Sequence, residues 1–470
     1  MRRRPVALAA LAVVVFAASV PAWAFRGPDG GGAAVTAPVQ TGSAGATFVL
    51  TGSGYGHGVG LSQYGARGQA LAGRGYADIL GFYYPGTTLG SRPNATVRVL
   101  LEPAAATLVI SSSADFSVRD AVGGSYAVPA GGVTVGPDLV VPVKGVATPL
   151  TGPLTFVPRA GSLLQLGGKS YRGRLELTST GPALQAVDVV SLEAYVQGVV
   201  PGEMPSTWPA AALEAQAVAA RSYALASIAP DKPWDLYPDG RSQQYPGAAA
   251  ETPQTTAAVK ATARQVLLYA GAVATAFYSS SDGGWTASAL DAFGLDVPYL
   301  PSQADPWDDG SPYHVWPPAA YTGARLAKAL GARSPIVEVR SQISQSLRVA
   351  TVVAIAADGS SLELSGAEVR KRLGLRSTAF RLGTLRFVTP PSPATTGTRV
   401  LLAGLARDVG DPSLERLETT GQWVPVLRRL PVRADGSFAA VVRPTQTTTY
   451  RLSAAGIAGP QLTIPVVAST

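Results

Sequence analysis

Short apolar runs punctuated by glycine and proline fill the chain from about Ala46 to Val388. TVRVLL (Thr96–Leu101), DLVVPV (Asp138–Val143) and RLELTS (Arg174–Ser179) have the length and side-chain content of strands. Helical signals are fewer and clearer. PAAALEAQAVAARSYALASI (Pro209–Ile228) begins after Ser206 and Thr207, either of which can cap it, and carries a proline in its first turn. Its alanines let neighbours approach closely, as a central buried helix requires. Shorter helices are predicted over Gly65–Ala72, Tyr76–Tyr83, Ala324–Leu330 and Gly366–Leu373.

The pattern changes after TPPSPATTGT (Thr389–Thr398), a proline-rich linker. VLLAGLA, WVPVLRRLPV, SFAAVVRP and TTTYRLSA then repeat strand and turn with no helical signal. The predicted class is therefore α+β: a mixed, β-rich domain with a central Ala-rich helix, followed by a small C-terminal β-sandwich resembling an immunoglobulin-like module. At the other end, MRRRPVALAALAVVVFAASVPAWA places three arginines before an apolar run and closes on Ala22-Trp23-Ala24. That reads as a secretory signal peptide over residues 1–24. An uncleaved anchor is the alternative, for which the apolar run is short. Residues 25–45, poor in large apolar groups, read as a flexible tether.

Composition narrows the partners. Loss of the leader's three arginines would lower the formal net charge from +8 to +5, a balance suited to anionic wall polymers. The basic residues are scattered and the expected address is outside the cell, so nucleic acid is not an expected partner. No later run is long and apolar enough for a transmembrane anchor in the mature form. The chain has no cysteine, which excludes disulfides, thiol nucleophiles and thiolate metal sites. Its 46% hydrophobic content supplies a core instead.

Two stretches carry candidate chemistry. In GSGYGHGVGLSQYG (Gly52–Gly65) glycine recurs at every second position as far as Gly60, around His57, one of only two histidines. Neither a dinucleotide fingerprint nor a Walker pattern fits this spacing. In an extended strand Ser53, Tyr55, His57 and Val59 would share one face, and the other would be bare backbone open to another chain segment or a flat sugar ring. A strand packed under a helix, with His57 hydrogen-bonded in the core, fits the same pattern. The second stretch, LEAYVQGVVPGEMPSTWPAAALEAQAVAARSYAL (Leu192–Leu225), sets Glu203 among apolar groups at the mouth of the alanine helix. Desolvation there raises a carboxyl's proton affinity and a helix N-terminus lowers it. If desolvation wins, Glu203 is a general acid. Otherwise it is a capping or ion-paired glutamate, with Arg221 as a partner.

Other chemistries are weaker. A Ser-His-Asp triad would need His57 or His314, and no G-x-S-x-G elbow occurs. Two distant histidines cannot make a histidine-rich zinc site. DPWDDG (Asp305–Gly310) lacks the closing glutamate of a calcium loop and reads as a turn with Asx hydrogen bonds.

Together the two stretches resemble the SpoIID/LytB family. The matching segments are GYGHGVGLSQYGARGQALAGRGYADILGFYYPGT (Gly54–Thr87), YRGRLEL (Tyr171–Leu177), the Glu203 stretch, FYSSSDGGWTAS (Phe277–Ser288), VPYLPSQADPWDDGSPYHVW (Val297–Trp316) and LSGAEVRKRLGLRST (Leu364–Thr378). The resemblance implies a catalytic domain over 46–390 with the glycine-histidine segment placed first; the linker over 391–398 and the β-sandwich module over 399–470, read above from composition and strand rhythm, follow it. It implies a lytic transglycosylase acting on peptidoglycan glycan strands, with Glu203 as the catalytic acid/base and no cofactor. It also implies substrate contacts from Tyr55, His57, Ser62, Gln63, Tyr64, Arg221, Ser222, Tyr223, Tyr278 and Ser280. Many relatives carry the glycine-histidine segment near the end of the domain, so the order here is permuted.

Some relatives also place a zinc-binding cysteine and histidine where this chain has Asp282 and Trp285. No metal is expected here, and packing of Trp285 is expected to hold the loop. A non-catalytic glycan-binding protein or amidase modifier is the rival reading. A hydrolase is another, for which Glu193 and Glu214 are the nearest second carboxylates.

Overall fold

The computed structural model describes residues 45–388 and 393–467. The leader, all but the last residue of the tether, and residues 391–392 of the linker lie outside the described residues. The class is α+β, and the chain divides into two units.

The first unit comprises Gly60–Tyr278 with Val297–Leu300. A six-stranded antiparallel sheet runs in the order Thr96–Ala105, Leu184–Ser191, Arg174–Ser179, Leu154–Pro158, Phe116–Arg119, Ser125–Val128. Arg174–Ser179 buries Leu175 and Leu177 on alternate positions, whereas Leu184–Ser191 is buried almost throughout, as a strand covered on both faces must be. Five helices belong to this unit: α1 (Gln63–Leu71), α2 (Tyr76–Tyr83), α3 (Leu192–Glu203), α4 (Ala210–Ala226) and α5 (Pro253–Ala261). α4 packs against the other four and is buried around most of its circumference, so the alanine run forms the expected central helix. Its N-cap is Pro209, without a side-chain cap bond; the capping by Ser206 or Thr207 expected from the sequence is not made. A turn through Pro205 and Trp208 intervenes.

The helix the sequence leaves ambiguous is α3. Its valines favour a strand and Pro201 lies inside it, removing one intrahelical donor. Tertiary packing overrides both: Ser191 caps the start, and Leu192, Tyr195, Val196, Val199 and Val200 are buried.

The second unit holds the described remainder. Its central five-stranded sheet runs Ala319–Thr322, Thr47–Gly52, Phe380–Phe387, Val400–Arg407, Ser437–Val442. Period-2 alternation sends neighbouring side chains of one strand into two cores. Phe48 and Leu50 join Phe380 and Leu382 in one core, which helices α7 (Gly323–Leu330) and α8 (Gly366–Leu373) help to build; a shorter helix, α6 (Ala289–Phe293), precedes them. Val49, Leu385 and Phe387 face the other core, closed by a four-stranded sheet in the order Trp423–Leu427, Ser413–Leu417, Thr448–Ala454, Ile457–Ile464. The strands after the linker thus complete a sheet begun at Thr47. Thr47–Gly52 lies between Ala319–Thr322 and Phe380–Phe387, so the early segment is built into the later part of the chain.

The extended strand expected through the glycine-alternating segment is not formed. Gly54, Gly56 and Gly58 have φ of +75°, +111° and +74°, which only glycine adopts readily. The chain therefore coils, and the bare backbone faces its own unit. A Cβ on Gly56 would stand 2.6 Å from Ser279 Cβ, and one on Gly58 would overlap the Arg348 guanidinium.

Candidate active site

Glu203 is the last residue of α3. The sequence suggests a carboxylate at the mouth of the alanine helix, where the helix dipole would favour its charge. The structure puts it at the carbonyl end of α3 instead, seven residues before α4 begins, where the dipole disfavours a negative charge. The side chain is half-buried. Oε1 accepts from Gln244 N at 2.7 Å and from the Tyr278 hydroxyl at 3.3 Å; Oε2 accepts from Gln63 Nε2 at 3.1 Å. Burial pushes its proton affinity up, and the three donors only partly offset this.

Gln63 reaches the carboxyl because Ser62 caps α1, its hydroxyl accepting from Gly65 N at 3.2 Å, and so starts the helix at Gln63. The Gln63 amide also donates to Gln216 Oε1 on α4 at 3.4 Å. Gln244 reaches it because α3 carries glycine at two positions one turn apart. A Cβ on Gly202 would meet Pro246 Cδ at 2.7 Å and Gln244 O at 2.8 Å, and one on Gly198 would meet the Tyr245 ring at 2.6 Å. The 244–246 backbone seats against this bare stripe.

The other expected site residues separate into groups. Tyr64 and Trp208 pack edge-on, centroids 4.9 Å apart, both half-buried. Tyr223 packs on Phe277 at 5.7 Å, and burial raises its proton affinity. Arg221 and Ser222 are 1% and 0% exposed. The Arg221 guanidinium pairs through Nε and Nη2 with Glu193, both at 2.9 Å, and donates to the Gln265 and Val259 carbonyls. Ser222 Oγ donates to Val218 O and accepts from Leu267 N. Burial thus corrects the substrate contacts expected of both: they tie α4 to its neighbours.

Tyr55, His57 and Ser280 belong to the second unit. Tyr55 exchanges backbone bonds with Ser281 and packs edge-on to Tyr313 at 4.9 Å. His57 Nδ1 accepts from Val59 N at 2.9 Å, and its ring lies 5.2 Å from that of Phe293. Ser280 is half-buried.

Neither glutamate considered as a second acid joins Glu203. Glu193 is ten residues earlier on the same helix, roughly 15 Å along its axis, and pairs with Arg221, not leaving Glu203 that partner. Glu214 lies on α4, and burial raises its proton affinity; none of the three groups that bond the Glu203 carboxyl is Glu214.

In the second unit Asp282 Oδ1 accepts from Gly284 N at 2.9 Å, and burial with Asp305 and Asp308 nearby raises its proton affinity. Trp285 Nε1 donates to Ser302 Oγ at 2.7 Å. Asp305 Oδ1 accepts from Trp307 N in an Asx turn. No group of three or more histidines or acids among the described residues is arranged to hold a metal.

Three contributors escape a sequence reading. Gln244 acts through its backbone amide, which has no residue-type signature. Gln243, which donates to the Tyr278 hydroxyl at 2.8 Å, and Tyr195, whose hydroxyl donates to Gln243 Oε1 at 3.0 Å, lie in a turn and a helix whose approach depends on tertiary packing. The recurrence of glycine at 198 and 202 is the available clue to a close neighbour.

Comparison with known proteins agrees with the motif resemblance. The family model described as Stage II sporulation protein matches residues 180–269, which include α3, α4 and Glu203. Stage II sporulation protein D of Bacillus subtilis is 30% identical over 215 residues, covering 42% of this chain and 62% of that protein. The amidase enhancer of Bacillus subtilis is 39% identical over 113 residues, covering 24% of this chain and 15% of its own. An uncharacterized protein of Brachyspira hyodysenteriae is 37% identical over 160 residues, covering 32% and 44% respectively. The chain thus spans less than two thirds of the length of each. These matches are to a family with a cell-wall-related role. Over the segments they cover, these matches support assignment to the SpoIID/LytB family. No helix among the described residues is long and apolar enough to cross a membrane.

Proposed function

We propose that this protein is an exported lytic transglycosylase cleaving peptidoglycan glycan strands with Glu203 as its single acid/base. The observation that carries this is the carboxyl itself: half-buried at a helix C-terminus, raised in proton affinity by burial, and held by an amide N–H, a carboxamide and a phenol rather than by a second acid. A hydrolase of the usual kind needs two carboxyls about 5–10 Å apart; here one suffices. Oε1 is already held by two donors and Oε2 by one, so Oε2 carries the transferable proton. It goes to the oxygen linking N-acetylmuramic acid to N-acetylglucosamine as the C1–O bond breaks. The muramic acid 6-hydroxyl oxygen then bonds to C1, its proton returns to Glu203, and a 1,6-anhydro end forms without water. The step requires no cofactor, and it requires the sugar ring to be held close to attack geometry.

Within the first unit, Gln63, Tyr64, Tyr223 and Tyr278 are the proposed substrate contacts, Tyr64 and Trp208 offering aromatic faces. For Tyr55, His57 and Ser280, which belong to the second unit, a substrate role rests on the family resemblance alone, His57 positioning sugar groups rather than transferring protons. We read residues 1–24 as a secretory signal. The strands after Thr398 form, in this reading, an immunoglobulin-like module that shares its sheet with the earlier strands and binds wall polymer or spaces the enzyme.

The similarity to the amidase enhancer favours one alternative, a glycan-binding amidase modifier without catalysis. Digestion of purified glycan strands with the protein and with Glu203→Gln, followed by mass spectrometry of the ends, separates the readings. Anhydro ends from the unaltered protein alone support the proposal. Reducing ends indicate hydrolysis, and binding without product indicates the modifier.

A further inference from the structure

The turn before α5 supplies more to Glu203 than one amide. Gln243 is 1% exposed. Its Oε1 accepts from the Tyr195 hydroxyl at 3.0 Å, and its Nε2 donates to the Tyr278 hydroxyl at 2.8 Å and to Ala220 O at 3.3 Å. With an amide donor on its oxygen, the Tyr278 hydroxyl hydrogen is free to point at Glu203 Oε1, 3.3 Å away. That spacing is long for a hydroxyl donor, as is common before substrate binds. Gln244 donates its N–H to the same oxygen at 2.7 Å. Tyr245 anchors the turn: its ring lies against Gly198 and beside the rings of Tyr195 and Tyr171, and its hydroxyl donates to Asp188 Oδ2 at 2.8 Å. Asp188 is fully buried, and its Oδ1 has no hydrogen-bond partner among the described residues. One short segment thus ties a buried acid on the sheet to the carboxyl at the end of α3.

We propose that Gln243–Tyr245 is a positioning strap for Glu203: Gln244 holds Oε1 directly, Gln243 turns the Tyr278 hydroxyl toward it, and the Asp188–Tyr245 bond anchors the strap. Every bond it directs at Glu203 is a donor, so the strap favours the ionised carboxylate, the form that must receive the 6-hydroxyl proton. The strap deepens the acid/base reading above and rests on it for its catalytic meaning.

The test deletes single oxygens that do not touch Glu203, in Tyr245→Phe and Tyr195→Phe. Full-length protein carrying 13C-labelled glutamate is titrated by NMR, the Glu203 carboxyl signal being the one missing from Glu203→Gln. The titratable groups facing the carboxyl are Tyr195, Tyr223 and Tyr278. Elements packed against α3 carry Arg98 paired with Asp235, Glu102, Asp188, Glu214, Arg221 paired with Glu193, and Lys260, none of which the two substitutions remove. Weakening one donor to a charged acceptor should raise the Glu203 midpoint by about one pH unit in either variant. On glycan strands kcat should fall about tenfold with KM unchanged. A midpoint within about 0.2 of the unaltered protein's in both variants, whatever the melting temperature does, overturns the strap. Should the unaltered protein fail to cleave, the acid/base function fails while the titration still decides the strap.

Discussion

Substituting Gly202 by alanine sets two effects of opposite sign against each other. Alanine in a helix is favoured over glycine by about 0.5–1 kcal/mol, so propensity alone predicts a more stable α3. Against this, the new Cβ would lie 2.7 Å from Pro246 Cδ and 2.8 Å from Gln244 O. Ordinary contact begins near 3.4 Å, and neither a ring nor a backbone oxygen can rotate aside, so the 244–246 turn must retreat by roughly 0.7 Å. A retreat of that size along the Gln244–Glu203 bond, now 2.7 Å, stretches it to about 3.4 Å, past the usual N–H···O range, and takes most of its strength. Overpacking costs about 1–3 kcal/mol, which exceeds the propensity gain, and loss of a bond to a charged acceptor costs about 1.5–3 kcal/mol. The variant should melt a few degrees lower and turn over glycan strands about tenfold or more slowly. Circular dichroism melting and release of anhydro ends measure the two. A variant melting higher with full activity would mean that the turn is not seated on Gly202 in solution, and the account of how Glu203 is held would fall with it.

Other consequences follow from the same geometry. Folded Glu203 binds its proton more tightly than its ordinary value of 4.5, so stability is lost as pH rises from 4.5 through the folded value. Glu203→Gln should therefore gain melting temperature relative to the unaltered protein as pH rises above 4.5; a difference flat from about pH 4 to 7 refutes the raised affinity. Arg221→Leu removes a buried cation and strands Glu193, costing about 3 kcal/mol. Its melting point should fall sharply while the KM of the folded fraction stays unchanged; a selective rise in KM would restore Arg221 to substrate binding. Gly58→Ala, at φ +74° and against Arg348, should cost about 2–4 kcal/mol, and a neutral melting temperature would show that the loop relaxes.

How far the sequence could be read depended on where each signal resides. The alanine helix, Tyr76–Tyr83 and Gly366–Leu373 announce themselves through local composition and spacing, and they occur where expected. α3 does not, because its valines and Pro201 argue locally for a strand and only burial against α4 and α5 decides otherwise. Glu203 was legible as a shielded acid, but the field acting on it was not. Its placement depends on which helix claims it, and α3 ending at Glu203 reverses the sign of the dipole contribution.

Alternating glycines pose the same problem in reverse. Their spacing suggests a strand with an open face, yet positive φ coils the chain and the vacated space is filled by Ser279 and Arg348. On α3, glycine at 198 and 202 likewise admits a neighbouring backbone, and that backbone brings the amide that holds the acid. Glycine therefore shapes this site from inside the protein. Close approach of chain to chain, more than chain to ligand, is what these bare positions supply. A carboxyl positioned in this way owes its proton affinity to the packing around it, which is why substitutions at Tyr195 and Tyr245, neither hydrogen-bonded to it, should move its titration.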